Sequence, residues 1–379
     1  MDKVFEVFKR FLWLGLISLG GPAAHIGYFQ KAFVEQYRWL DDHAYGKLVA
    51  LSQFLPGPGS SQVGFALGLQ RAGLLGGIAA FVGFTLPSFV IMYGLAKSYN
   101  LLAGDTLNSI IHGLKLLAVV VVADASLSMY NSFCKNRLTT TIAVISFICL
   151  LLLSSIQVQM LLLVVAAATG AIYCHTPPQQ QRSAARLNYL PLIAFVMLFV
   201  STLYLAQTSG FAQTFAYFYQ SGALVFGGGH VVLPLLQETA GQGIANDTFL
   251  MGYAAAQAVP GPMFSLAAFL GGQLHSTSPF LGALLATLAI FLPGFLLVLS
   301  LQGVWQSLST HRRVGGAVIA INAAVVGILL SALYSPVFTS AVTSAEHMAI
   351  VALGLLLQRV YKLPIAMMVL LFVLIGLFL

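Results

Sequence analysis

Read for its apolar and polar positions, the chain divides into thirteen apolar runs, near 11–30, 46–69, 72–97, 107–130, 138–155, 158–174, 189–207, 213–236, 248–273, 279–303, 314–334, 346–358 and 364–379. They lack the two-residue alternation of barrel strands, and many approach the ~20 residues that a lipid-spanning helix needs. Several are short or interrupted by Gly and Pro. The pattern predicts an all-α polytopic integral membrane protein with about 12–13 membrane segments. Composition agrees: of 379 residues 59% are hydrophobic and 7% charged, against about 25% charged in a soluble domain. Secreted disulfide scaffolds, nucleic-acid binders and disordered tails are excluded.

The net charge of +7 resides largely in short loops, as the positive-inside rule expects of a membrane protein. If every run crosses, twelve Lys and Arg fall on the N-terminal, cytoplasmic side and four outside, namely Lys31, Arg38, Lys47 and Lys97. The N-terminus is then cytoplasmic and the C-terminus periplasmic, with the 31–47 loop the misfit. Phe11 to Leu19 is followed by Gly-Gly-Pro and not by a small-residue cleavage site, so it reads as the first membrane segment. Cys134, Cys149 and Cys174 are odd in number and lie in or beside apolar helices, as packing residues or free thiols.

The one linker-like stretch, 176–186, is polar, basic and Pro-led, and it nearly bisects the chain. Landmarks recur across it. Gly20-Gly21 answers Gly227-Gly228, and Gln53-Phe-Leu-Pro-Gly-Pro58 answers Gln257-Ala-Val-Pro-Gly-Pro262. Leu86-Pro87-Ser88-Phe89 answers Leu292-Pro293-Gly294-Phe295, and Lys115 answers Asn322, at offsets of 207, 204, 206 and 207. Four landmarks in one order at one spacing mark an internal duplication. The expected organisation is an N-terminal repeat over 1–175, a basic linker with a connecting membrane helix over 176–212, and a C-terminal repeat over 213–379. Seven runs separate the starts of the two repeats, an odd number, so the repeats are inverted. Inverted repeats with Pro/Gly-broken helices are an architecture of secondary transporters, whose site lies where the repeats meet.

Candidate site residues follow from the duplicated breaks. Pro56-Gly57-Pro58 and Pro260-Gly261-Pro262, each preceded by a glutamine (Gln53, Gln257), interrupt runs too apolar to be loops. Proline ends one half-helix and opens the next. The new N-termini, with Ser60 in the first and free N–H groups in both, suit an oxyanion. A Pro-Gly-Pro pair can also simply kink packed helices. The second duplicated break, Gly20-Gly21-Pro22 and Gly227-Gly228, lets backbone approach a ligand or another helix. His25 and His230 follow it, as anion donors, proton relays or packing residues. Lys115, with His112 one turn before it, is an intramembrane cation that can serve an anion or snorkel to an interface, and Asn322 is its neutral counterpart. Asp124 is the proton-coupling candidate, while Glu238 and Asp247 read as loop charges. With no P-loop, no metal-ligand spacing and no hydrolase motif, the chain reads as no enzyme, with neither cofactor nor metal.

At these residues the chain resembles the chromate ion transporter family. The resemblance is carried by Gly-Gly-Pro with His25, the Gln-Phe-Leu-Pro-Gly-Pro motif, Phe226-Gly-Gly-Gly-His230, Ala256-Gln-Ala-Val-Pro-Gly-Pro262 and Ile321-Asn-Ala-Ala-Val-Val326. It covers essentially the whole chain in its long, two-repeat form. Lys115 agrees with the family pattern; Leu116-Leu117 departs from it where the second half keeps Ala323-Ala324. The resemblance implies proton-motive export of chromate across the bacterial inner membrane, conferring chromate resistance, with sulfate as a competing tetrahedral oxyanion. The partners to expect are that anion, the lipid bilayer and a second copy in a homodimer, and no nucleic acid. Transport of sulfate or another oxyanion, and a non-transporting membrane subunit, are the alternatives.

Overall fold

The computed structural model describes residues 2–19, 21–99, 105–153, 155–173, 187–226, 232–304 and 312–378. Gly20, Gly227, Gly228, His230 and Cys174 lie outside them. The described residues form helices joined by short turns, with no strand among them.

The N-terminal segments are hairpins that enter the membrane and return. α1 (Asp2–Ile17) and α2 (Gly21–Phe29), with a π-helical extension over Gln30–Gln36, fold back on each other. Phe11 meets Phe29 edge-on at 5.4 Å and stacks on Phe33 at 4.7 Å, while the Arg10 guanidinium covers the Tyr37 ring at 4.2 Å. Later residues of one arm meet earlier residues of the other, the register of an antiparallel pair. α3 (Asp42–Phe54) and the start of α4 (Gly59–Tyr99) form a second hairpin with Pro56-Gly57-Pro58 at its tip. α4 itself is two helices, because the backbone leaves helical geometry at Ala72 (φ −145°, ψ 27°) and Gly73 (φ 66°, ψ −160°). Residues 59–71 are the returning arm and 74–99 a separate crossing helix. At the hairpin bases Arg71 pairs with Glu6 at 3.0 Å and lies over the Trp39 ring at 5.1 Å. Both hairpins therefore open on one face, here the near face.

The second repeat does the same from the far face. The end of the 74–99 helix reaches α11 (Asn246–Ala258) and α12 (Leu266–Leu274) at their base. There Tyr99 Oη lies 2.8 Å from Thr248 Oγ1, and Gln273 Nε2 donates to the Ala96 carbonyl at 2.7 Å. α9 (Phe211–Leu224) and α10 (Val232–Thr239) share that base, since Phe211 stacks on His275 at 4.1 Å and Thr214 Oγ1 is 2.8 Å from His275 Nε2. Equivalent hairpins thus enter from opposite faces, and the repeats are inverted.

The crossing helices of the first half are residues 74–99, α5 (Asp105–Phe133), α6 (Arg137–Leu152), α7 (Ile156–Tyr173) and the connecting α8 (Tyr189–Leu205). Those of the second are α13 (Pro279–Leu301), α14 (Arg312–Ala332), α15 (Ala345–Arg359) and α16 (Ile365–Phe378). α5 packs against α15 and α16, and α14 against α6 and α7, so each repeat carries the last helices of the other. The contacts are made by equivalent small residues: a methyl at Gly170 would strike the Gly316 carbonyl, and one at Gly376 the Ser109 carbonyl. Likewise Gly15 abuts the Phe84 carbonyl and Gly222 that of Ile290. Close backbone approach at small residues holds helices together where lipid removes the hydrophobic drive. The Gly376 contact also places the end of α16 beside the start of α5, on the far face.

One premise of the topology needs correcting. Runs 11–30, 46–69, 213–236 and 248–273 are embedded but return to the face they left. Length does not separate them from the crossing helices, since α6, α15 and α16 are as short; the contacts that join both arms at one face do. Among the described residues four helical stretches are long and apolar enough to cross, over 59–99 (the returning arm and the 74–99 crossing helix together), 109–133, 279–301 and 313–341. Inversion survives the change, because five crossing helices separate the two sets of hairpins and five is still odd. Lys31, Arg38 and Lys47 move to the near face, and the misfit disappears. Among the described residues Lys97 and Lys115 are then the Lys and Arg that do not lie on the near face.

Candidate functional site

The site is built where the two Pro-Gly-Pro tips meet Val225 and Ser18, the residues that lead into the Gly-rich breaks. Pro56 forces the residue before it out of the helical region, and Leu55 is extended (φ −78°, ψ 147°). Val259 before Pro260 is extended in the same way (φ −80°, ψ 135°). Gly57 (φ +122°) and Gly261 (φ +103°) then turn the chain through geometry that a side chain strains. The Gly57 N–H donates to the Val225 carbonyl at 2.7 Å, and the Gly261 N–H donates to the Ser18 carbonyl at 2.9 Å. Each Pro-Gly-Pro tip therefore bonds to the Gly-rich break of the other repeat. Each also lies on the other repeat's Pro-containing crossing helix: Gly57 at Gly294 of α13, and Gly261 at Phe84 and Ser88 of α4.

Around the tips stand buried polar atoms without a partner: Ser18 Oγ, His25 Nε2, Ser61 Oγ, Gln62 Oε1, Thr85 Oγ1 and Ser265 Oγ. Leaving such a group unmet costs about 1–3 kcal/mol, so their concentration in one place is a functional signal. His25 is oriented by Ser60 Oγ, 3.2 Å from its Nδ1, and by the Phe84 ring, which it meets edge-on at 5.1 Å. A proton donated by Ser60 to Nδ1 leaves Nε2 as the N–H donor. Gln62, fully buried, donates to the Pro56 carbonyl at 2.8 Å and also reaches the Gly294 carbonyl at 3.4 Å, tying tip to opposite helix.

The two half-helix starts differ. Gly59 opens an α-helix directly, with the Gln62 N–H bonded to the Pro58 carbonyl, leaving the Gly59, Ser60 and Ser61 N–H groups at a free N-terminus. After Pro262 the chain makes a 3-10 turn over Met263–Ser265, and the Ser265 N–H is taken by the Pro262 carbonyl. The expectation of equivalent free N–H groups therefore holds better for the first repeat.

The remaining candidates scatter. Gly21 and Pro22 open α2 at the first break, with Gly21 at φ +76°. Gln53 is exposed on α3, whereas Gln257 donates to Met263 Sδ at 2.7 Å beside its own tip. Lys115 is 7% exposed and pairs with Asp247 Oδ1 at 2.7 Å. That contact is at the base of α11, a helix of about 20 Å away from Pro260. Asp247 thus sits in the first turn of α11 and not in a loop, and it pairs with Lys115 although its own side chain is 58% exposed. Asp124 pairs with Arg359 at 2.9 Å and accepts from Gln358 at 3.3 Å. Asn322 is buried in α14 with Oδ1 unpartnered. Gln62 and Thr85 escaped the sequence reading, and Ser18, Ser61 and Ser265 entered it only as parts of the duplicated breaks and for their N–H groups, not for their hydroxyls. Only the neighbours of a buried hydroxyl or amide reveal that it is unmet, although Ser18 and Ser61 adjoin the motifs.

Among the described residues the tips carry helix ends, hydroxyls, an imidazole and no Lys or Arg. Such a set can bind an oxyanion through neutral donors and helix dipoles, between elements that enter from opposite faces. Among known proteins, the sequence profile of the chromate transporter family matches residues 5–172 and 212–377, one match per repeat. The chain is 28% identical over 278 residues to a chromate transport protein of Pseudomonas aeruginosa, covering 70% of this chain and 65% of that one. It is 27% identical over 277 residues to a chromate transport protein of Cupriavidus metallidurans, covering 70% and 66%. It is 26% identical over 349 residues to an uncharacterized transporter of Methanocaldococcus jannaschii, covering 87% and 83%. No solved structure matches. With both repeats matched over most of their length, the chain belongs to the chromate transporter family.

Proposed function

We propose that this protein is a secondary active transporter that exports chromate across the bacterial cytoplasmic membrane, driven by the proton motive force, and so gives chromate resistance. The carrying observation is the reciprocal bonding of the tips, Gly57 to Val225 and Gly261 to Ser18, amid unpartnered buried polar atoms. In this reading the dianion sits between the tips, held by the Gly59–Ser61 N–H groups, the hydroxyls of Ser18, Ser61 and Ser265, and His25. Tip contacts break on one side or the other as the inverted hairpins rock, which is alternating access. The preponderance of Lys and Arg on the near face supports a cytoplasmic N-terminus. The names of relatives support chromate as the cargo.

The test is chromate uptake into everted vesicles carrying the protein, with and without excess sulfate and with a protonophore. Uptake above empty-vector vesicles that collapses with the protonophore is the expected result. Strong inhibition by sulfate, with weak chromate flux, moves the cargo to sulfate or another oxyanion. Absence of flux for every oxyanion from folded protein in proteoliposomes leaves a non-transporting membrane subunit.

A further inference from the structure

The far face holds a cluster of titratable groups that the tips do not use. His112 and Lys115 lie one turn apart on α5. Lys115 reaches Asp247 on α11, and His112 Nε2 lies 3.0 Å from Nε2 of His347 on α15. On its other side, His347 Nδ1 receives the Thr343 backbone N–H at 3.3 Å and lies 3.1 Å from Thr343 Oγ1.

These contacts dictate where the protons sit. A ring nitrogen that accepts an N–H carries none itself. Neutral His347 therefore keeps its proton on Nε2 and donates it to His112 Nε2, and the proton of His112 is on Nδ1. The pair is uncharged, with one proton on the axis between the rings. A second proton has a place: it binds His347 Nδ1, which then donates to the Thr343 hydroxyl while Nε2 keeps donating to His112. His347 becomes the imidazolium, and only the Thr343 N–H contact is given up.

The surroundings leave this pair in control of the local charge. On α11, Asp247 is matched by Lys115, and Tyr253 lies deeper. α15 adds exposed Glu346 beside His347, and Arg359 at its other end with Asp124. α16 has no titratable residue, and the turn Leu333–Phe338 after α14 has Tyr334 alone. α14 bears Arg312 and Arg313 at its near-face end.

We infer that His112 and His347 form a proton-binding site on the far face. Loading it turns the Lys115–Asp247–histidine cluster from neutral to singly positive, at the base of the helix that carries the Pro260-Gly261-Pro262 tip. As a coupling site it rests on the transporter reading; as a proton site it does not.

Two experiments test it. In proteoliposomes with the near-face pH fixed, flux should vary with far-face pH. His112→Gln and His347→Gln should each flatten that dependence. An unchanged profile in both variants overturns the coupling role. Separately, 15N NMR of histidine-labelled wild-type protein in nanodiscs needs neither flux nor a variant. The expected spectra show His347 as the Nε2–H tautomer and His112 as the Nδ1–H tautomer at high pH, titrating together. Two rings titrating independently as exposed imidazoles overturn the site itself.

Discussion

Gly57 and Gly261 hold equivalent places in the two repeats, and neither admits a side chain. A Cβ at Gly57 would lie 2.9 Å from Gln62 Nε2 and 3.1 Å from the Gly294 Cα, while one at Gly261 would meet Ser88 Oγ at 3.0 Å. Gly57→Ala and Gly261→Ala should each destabilise the protein by about 2–3 kcal/mol and abolish flux, read by thermal melting in detergent and by vesicle uptake. Gly21→Ala is the control: its φ is +76° but nothing lies within 4 Å of the added carbon, so only backbone strain of about 1 kcal/mol is expected. The hydroxyls make the opposite prediction. Ser18→Ala, Ser61→Ala and Ser265→Ala remove groups with no partner in the protein, so stability should hold while KM for the anion rises about tenfold each, the worth of one hydrogen bond. A loss of melting temperature with unchanged KM would assign those serines to packing.

Between elements, the Lys115–Asp247 pair joins a crossing helix of one repeat to a hairpin arm of the other. Its two ends are not equivalent, since the Lys115 side chain is 9% exposed and that of Asp247 58%. Removing Asp247 strands a buried ammonium, whereas removing Lys115 leaves a carboxylate that water still reaches. Asp247→Asn should therefore destabilise more than Lys115→Met, by roughly 2 kcal/mol, measured as the difference in unfolding free energy. Equal losses would mean that the ammonium finds another partner. Lys115→Met should also lower flux, though by loosening the base of α11 and not by removing a ligand at the tips. Lys115 was legible in the chain as a costly intramembrane charge. Its partner was not, because Asp247 is 132 residues away and lies beside an ordinary helix start.

For the whole molecule, the orientation of every loop follows from which segments cross. Cysteine introduced at Arg38 should be labelled by a membrane-impermeant maleimide from the cytoplasmic side, and cysteine at Lys97 from the periplasmic side. Were every apolar run to cross, Arg38 would be reached from the periplasm, and that outcome would undo the hairpin topology. A reporter fused after Leu379 should be periplasmic, since Gly376 packs beside the first turns of α5 on the far face.

The order of the chain already dictated much of this protein. Its hydropathy demanded a membrane, because a chain 7% charged cannot clothe a soluble globule. The recurrence of Pro-Gly-Pro, Gly-Gly and the Lys115/Asn322 landmarks dictated two repeats, and proline chemistry dictated where their helices break. What required the folded molecule were relations between residues distant in sequence. Hydropathy cannot tell a run that crosses from one that turns back, since both bury the same apolar atoms in the same lipid. The Arg71–Trp39 and Tyr99–Thr248 contacts make that distinction. Nor can a motif show what its N–H groups will meet: that each Gly of Pro-Gly-Pro bonds to the opposite repeat, and that neighbouring hydroxyls are left unmet, depends on how the inverted halves interlock.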